Sequence, residues 1–295
     1  MPNIFWYICL AVIGLGAAAY AIFAKRKVYK VSTLLVFYLF SASSTWIGEF
    51  IVLGIFNAYA YKTGVFKDIW AQNLLGHLIL NTTLYPASAV VMVAYSLKYG
   101  WISLTAAFFV IVEYIFVKMG IYGHNWWKYY MTAITAVIFL LIAHKWFYKM
   151  NKKRYGLTRA VTFYFVAMII LHTPAPILLL LGKQYYHIKI INDLAGDLYL
   201  SSIIIIFLYH LIESFLAVLF TCILKKWYYK VFPFIISIAT QTILAKMNIL
   251  VMEDGWNLAY TLITYEIFIA FYILLERYTL TNSGLVTASE PGTEK

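Results

Sequence analysis

Charge is the scarcest commodity in this sequence: Asp, Glu, Lys and Arg make up 12% of 295 residues, about half the share found in soluble domains. So little charge does not keep a 34.0 kDa globule in water, which excludes a soluble cytosolic, nuclear or secreted protein. A hydrophobic content of 63% equally excludes intrinsic disorder, which needs low hydrophobicity and high charge. Acidic residues are fewer still, 12 against 23 Lys and Arg, giving a net charge of +11. No basic stretch alternates with aromatics on a soluble pattern, so the excess does not indicate nucleic-acid binding. In a membrane protein it places Lys and Arg in cytoplasmic loops against anionic lipid, and membrane lipids are the partners this balance implies. The 2 cysteines cannot build a disulfide framework, have no metal-ligand spacing, and are expected near opposite membrane faces, Cys9 unbridged to Cys222. Catalytic signatures are missing as well: there is no His-Glu-x-x-His, phosphate loop, Gly-x-Ser-x-Gly or aspartate pair. No cofactor motif is present. No basic residue precedes the first apolar run, and Lys25, Arg26 and Lys27 follow it, which argues for a retained helix rather than a cleaved signal.

What the chain has in abundance is long apolar runs. A helix crosses the hydrocarbon core with about 20 apolar residues, and nine runs qualify: 3–24, 32–59, 70–96, 102–119, 127–148, 160–182, 197–223, 228–251 and 257–276. The alternation of an outer-membrane barrel is absent. The fold class expected is therefore all-α, a polytopic transmembrane helical bundle. The loops after odd-numbered spans, with the C-terminal end, hold 16 Lys and Arg, and the opposite side holds 7. The positive-inside rule then sets the N-terminus outside and the C-terminus in the cytoplasm of a bacterial cytoplasmic membrane. The stretch around 183–197 has room for a short interfacial helix. The small, polar tail 279–295 is expected to be disordered.

An offset of 128 residues aligns Thr45 with Thr173, Gly54 with Gly182, Lys118 with Lys246 and Met119 with Met247. One slip of two residues then pairs Trp126 with Trp256 and Tyr130 with Tyr260. This predicts two four-helix units in the same orientation, 1–124 and 125–252, a closing helix over 253–278, and an axis along the membrane normal.

The run VYKVSTLLVFYLFSASS, followed by FFVIVEYIFVKMGIYGHNWWKYYMTAITAVIFLL, resembles a family of small multi-spanning membrane proteins from endospore-forming bacteria, named only after a clostridial locus tag. The resemblance rests on the basic stretch Lys25 to Lys30, on Tyr38-Leu39-Phe40, on Glu113-Tyr114, and on Trp126-Trp127 with Tyr129-Tyr130. It covers roughly residues 1–145. In the second half Gln241-Thr242 stands where the pattern has Glu-Tyr, so the chain resembles a fused double copy whose second half has diverged. The resemblance implies a topology and a source, and no reaction.

An ionisable group inside a span costs about 2.5–3.5 kcal/mol on insertion scales and is by default a candidate for function. The candidates are Glu49 on the second span, His77 and Asn81 on the third, Glu113 on the fourth, His172 on the sixth, His210 and Glu213 on the seventh, Gln241 on the eighth and Glu266 on the ninth. Asn73, His77 and Asn81 recur every four residues and share one helix face. One reading is a polar cavity open to the outside that holds a small ligand, an ion or a lipid head group. The other is that these groups pair and pin helices together. His210-Leu-Ile-Glu213 reverses the Glu-x-x-His order of bundle metal sites and occurs once, and no haem motif surrounds His77, His172 or His210, so no metal is expected. LHTPAP, Leu171 to Pro176, breaks or kinks the sixth helix. Glu113 precedes a cluster of His124, Trp126, Trp127, Tyr129 and Tyr130, which predicts an inward carboxylate bonded to one of residues 124–130, to His77 or to Asn81. Its counterpart Gln241 keeps the hydrogen bonds and loses the charge. The function expected is a non-enzymatic accessory or scaffold protein of the membrane. The alternatives are a small-molecule or ion carrier with an outward-facing cavity and an enzyme acting on a lipid; protein partners are not legible.

Overall fold

The computed structural model describes residues 2–152, 156–224, 226–253 and 255–280. Most of the expected tail, from residue 281 on, lies outside the described residues, as do Lys153 and Arg154 of the basic connection after the fifth span.

The protein is an all-α bundle, with eight helical segments among the described residues long and apolar enough to cross a membrane. In chain order these are α1 (Asn3–Ala24), α2 (Val31–Glu49, widening into a π-turn over Phe50–Ile55), α3 (Ile69–Ala94), α4 (Tyr99–Lys118), α5 (Tyr129–Lys152), α6 (Leu157–His172) continued by α7 (Pro174–Leu180), α9 (Leu198–Val218, with a π-turn over Leu219–Ile223) and α11 (Leu258–Tyr278). The short α8 (Lys189–Ala195) sits in the 183–197 connection where sequence left room for it. The break between α6 and α7 falls at LHTPAP, with Pro174 opening the second segment. Bulky apolar side chains such as Leu104, Ile111, Ile138 and Ile212 stand exposed around the outside, where the solvent is lipid. The chain is a multi-pass membrane protein.

The eighth run departs from expectation. Residues 228–251 do not form one long helix. A 3-10 turn over Trp227–Val231 leads into α10 (Phe232–Lys246), which has 15 residues. Laid end to end the two would extend about 32 Å, from rises of about 2.0 and 1.5 Å per residue, against a hydrocarbon core of about 30 Å. The helix stops early because Asn248 turns left-handed, at φ 54°. Asn248 N then donates to Ala245 O and Ile249 N to Leu244 O, a Schellman closure. The apolar residues that follow become a strand. α4 ends the same way at Gly120, φ 71°, with Gly120 N on Val117 O and Ile121 N on Phe116 O.

Two small antiparallel strand pairs, not anticipated from sequence, tie the connections together at one end of the bundle. β1 (Tyr59–Tyr61) pairs with β2 (Tyr122–His124), and β3 (Gln184–Tyr186) pairs with β4 (Leu250–Met252). Several local devices recur 129 residues apart on the helices and 125 apart on the strands. Asp68 caps α3 by accepting from Ala71 N at 2.7 Å, and Asp197 caps α9 by accepting from Leu200 N at 2.8 Å. Tyr61 N donates to Asn73 Oδ1 at 2.8 Å, and Tyr186 N donates to Ser202 Oγ at 3.1 Å. Trp127 Nε1 donates to Thr132 Oγ1 at 2.7 Å, and Trp256 Nε1 to Thr261 Oγ1 at 2.9 Å.

α1 lies against α3 through a stripe of small residues, Gly14, Ala18 and Ala21. A Cβ on Gly14 would stand 2.9 Å from Leu84 Cα, so only glycine allows this approach, as is usual where helices pack in lipid. The two halves of the chain meet where α2 packs on α6. There Phe40 lies 4.9 Å from Phe165, and Phe50, in the π-turn after α2, stacks on Phe207 of α9 at 3.7 Å.

Candidate functional site

The buried face of α4 is Ile102, Ala106, Phe109, Glu113 and Phe116, alternating steps of four and three, which is one stripe of a helix. Glu113 is the single carboxylate in an otherwise apolar seam. It faces inward, and its Oε1 meets Nε2 of His124, on β2, at 2.6 Å. The imidazole is held in place by Tyr129, 4.8 Å ring to ring. Glu113 Oε2 is buried without a hydrogen-bond partner.

Opposite it, Glu49 ends the regular part of α2. Its two oxygens accept from Tyr59 Oη at 2.8 Å and Tyr61 Oη at 2.7 Å. Both phenols come from β1, where residues two apart point to the same side. Burial pushes Tyr59, Tyr61 and the neighbouring Tyr122 well above the ordinary phenol value, so all three remain neutral O–H donors. Strand pairing, the bond from Tyr61 N to Asn73 Oδ1, and the amides of Asn125, Trp126 and Trp127 on Ala58 O fix this aromatic roof over the ends of α2 to α5.

Beneath the roof is a cavity of about 210 Å³. Its polar lining is Ser44, Thr45, Glu49, Asn81, Glu113, Thr132, Thr135 and the tyrosines Tyr59, Tyr61, Tyr85 and Tyr122. Leu10, Leu80, Leu84, Phe109, Phe116 and Phe139 supply apolar walls, and no Lys or Arg is among the lining residues. A second cavity of about 40 Å³ adjoins at Glu49 and is lined by Trp46, Asn73, His77 and His172 among others. His77 Nδ1 lies 3.4 Å from Asn81 Nδ2, so the face shared by Asn73, His77 and Asn81 supports the strand roof at one end and both cavities at the other.

Of the nine sequence candidates, Glu49, Asn81 and Glu113 thus meet on one cavity, and Glu49, His77 and His172 on the next. The remaining four sit in the second half. His172 and His210 pack edge to face at 5.0 Å. His210 Nδ1 donates to Ile206 O at 2.7 Å, which leaves Nε2 facing Glu213 Oε2 at 3.7 Å. Gln241 donates to Tyr209 Oη at 3.3 Å. Glu213 and Glu266 have no hydrogen-bond partner among the described residues. Among the described residues no cluster of three or more His, Cys, Asp and Glu has metal-binding geometry.

Sequence reasoning missed the tyrosine roof. Tyr59-Ala-Tyr61 carries the period-2 signal of a strand, but three residues at the end of an apolar run do not separate from a helix terminus. It also missed a second polar site at the opposite end. Arg159 donates to Glu276 Oε1 at 2.8 Å and to the carbonyls of Glu276, Thr279 and Leu280, and Lys230 Nζ meets Glu276 Oε2 at 2.9 Å. This arrangement caps the C-terminus of α11. No protein-family model matches the chain, and no curated protein or solved structure matches it.

Proposed function

We propose that this is a non-enzymatic membrane protein that holds a small ligand in the cavity of its first half, with the second half serving as scaffold. The observation that carries the reading is convergence: Glu49, Asn81 and Glu113, from three helices, face one space instead of dispersing into separate helix pairs. Pinning helices needs pairs of polar groups and no room between them. At about 210 Å³ the space is smaller than the roughly 300–1,000 Å³ of pockets for drug-sized molecules, so the ligand is small. The test is a compound screen by thermal shift on purified protein beside Ala136→Phe, a substitution that places a ring in the cavity. A ligand at about 100 times its Kd stabilises by about 2.7 kcal/mol. Compounds that raise the midpoint of the wild type and leave Ala136→Phe unmoved support the reading; compounds that move both equally refute it.

The membrane proposed is a bacterial cytoplasmic membrane with the N-terminus outside, on the 16-to-7 distribution of Lys and Arg and the rule that they stay inside. A cysteine at Lys152 should then be labelled from the cytoplasmic side alone. A carrier is the second reading. The row Glu49, His77, His172, His210 and Glu213 passes from one half to the other beside the α6–α7 break, and discontinuous helices with buried ionisable groups mark carrier sites. Vesicle uptake of any compound found in the screen decides between binding alone and transport.

The recurring caps and bonds support an ancestral duplication, grouped differently from the division at 124 and 252. Residues 31–152 and 157–278 would be the copies, each running helix, strand, helix, helix, strand, helix, with α1 leading and α8 inserted. The test is superposition pairing Asn73 with Ser202 and Trp127 with Trp256; a better fit in an inverted register removes the proposal.

A further inference from the structure

We propose that the cavity beneath the tyrosine roof is a site for a small organic ammonium ion with an apolar body. The inference rests on the ligand-binding reading above and adds the class of ligand. Three features carry it. Glu113, 8% exposed, lines the cavity, and its Oε2 is buried without a hydrogen-bond partner. A buried acceptor without a donor is costly, and an N–H from the ligand removes that cost. With the ring proton of His124 on Nε2, the imidazole donates to Oε1 and keeps the carboxylate oriented. The walls include the aromatic side chains of Tyr85, Tyr122 and Trp127, and an ammonium is drawn to aromatic ring faces by their quadrupole.

Other ligand classes fit less well. An anion meets two carboxylates and no Lys or Arg. A sugar leaves several hydroxyls against leucine and phenylalanine. A neutral apolar molecule leaves Glu113 Oε2 unpaired. A hard metal ion needs about six oxygens, but both oxygens of Glu49 already accept from Tyr59 and Tyr61. The volume sets the size: a cavity of about 150 Å³ takes benzene, so about 210 Å³ takes about eight or nine non-hydrogen atoms on the same scale.

The experiment is calorimetric titration of the full chain in detergent with phenethylamine, its neutral isostere phenethyl alcohol, and phenylacetate. Phenethylamine should bind at least about 10-fold more tightly than the alcohol, and phenylacetate not at all. Glu113→Gln should weaken the amine by about 10- to 100-fold, the range of one hydrogen bond to a charged group, and leave the alcohol unchanged. Ala136→Phe should abolish both. If Glu113→Gln does not fold, the comparison of amine with alcohol on the wild type still decides. Equal affinity for amine and alcohol, both lost in Ala136→Phe, overturns the ammonium assignment and leaves the ligand-binding reading standing. Absence of binding by every probe overturns the ammonium assignment, and binding that survives Ala136→Phe overturns both.

Discussion

Gly76 offers the sharpest perturbation of the roof. It lies on α3 directly under Tyr61, and a Cβ there would stand 2.4 Å from Tyr61 Cγ, 2.6 Å from its Cβ and 2.9 Å from Cδ1. Carbon atoms pack at about 3.5–4.0 Å, so Gly76→Ala must drive the ring back by about 1 Å. The backbone of Tyr61 cannot follow freely. Its N–H is held by Asn73, it faces Tyr122 across the strand pair, and Lys62 N donates to Ile121 O at 3.0 Å. The bond from Tyr61 Oη to Glu49 is therefore the part that gives. Overpacking costs about 1–3 kcal/mol, and a lost hydrogen bond to a charged group about 1.5–3 kcal/mol. The better helix propensity of alanine returns about 1 kcal/mol. A net destabilisation of about 1.5–5 kcal/mol follows. Gly16→Ala on α1 is the matched control, because a Cβ there meets nothing within 4 Å and gains the propensity alone. Unfolding of the three proteins side by side in one detergent supplies the comparison. A Gly76→Ala protein as stable as Gly16→Ala would show that Tyr61 does not lie over α3 and that Glu49 is held by other means.

Gly14→Val should separate α1 from α3, since the new Cβ falls on backbone rather than on a movable side chain; a loss of about 2 kcal/mol and protease cleavage after α1 are the readouts. Arg159→Ala should cost about 3 kcal/mol, at the low end for breaking a buried ion pair because Lys230 still faces Glu276, and Arg159→Lys should recover little of it, having no planar fork to reach several acceptors. Tyr265→Phe removes only the bond of Tyr265 Oη to Tyr186 Oη, 3.2 Å long, and should cost about 1 kcal/mol, whereas Tyr265→Ala should cost about 3–5 kcal/mol and open a space in the second half that a thermal-shift screen with small apolar probes detects.

The helices were legible because lipid demands about 20 apolar residues at a stretch, a signal that survives without homologues. α1 to α5 fall within a few residues of their expected limits for that reason. α10 did not, because hydropathy is blind to backbone: Ile249 to Met252 is as apolar as the helix before it, and the left-handed Asn248 that sends it into a strand is a matter of φ, not of polarity. The pairing of Glu113 with His124 was legible, since a short connection between antiparallel helices must bring residue 124 back over the end of α4. The partners of Glu49 were not. Tyr59 and Tyr61 reach it only because β1 pairs with β2, and that contact joins residues 59 and 124, too far apart in sequence for any local pattern to reveal.

The second half shows what makes the cavity specific to the first. Tyr61 and Tyr186 hold matching places in their strands. Tyr61 Oη ends on Glu49, while Tyr186 Oη ends on Tyr265 Oη, whose ring stacks 5.8 Å from His210. On the two-copy reading, Tyr265 stands where the first half has Ala136, and His210 stands where it has Asn81. On that reading a phenol ring would fill the volume that an alanine leaves open. Gln241 drops the charge of Glu113, while Glu213 and Glu266 bring carboxylates into the second half from α9 and α11. Alignment at one offset follows only groups that stay in place. A buried polar interior is constrained by where its hydrogen bonds end, not by which helix supplies them, so a carboxylate can vanish from α4 and reappear on neighbouring helices while the bundle around it keeps its shape.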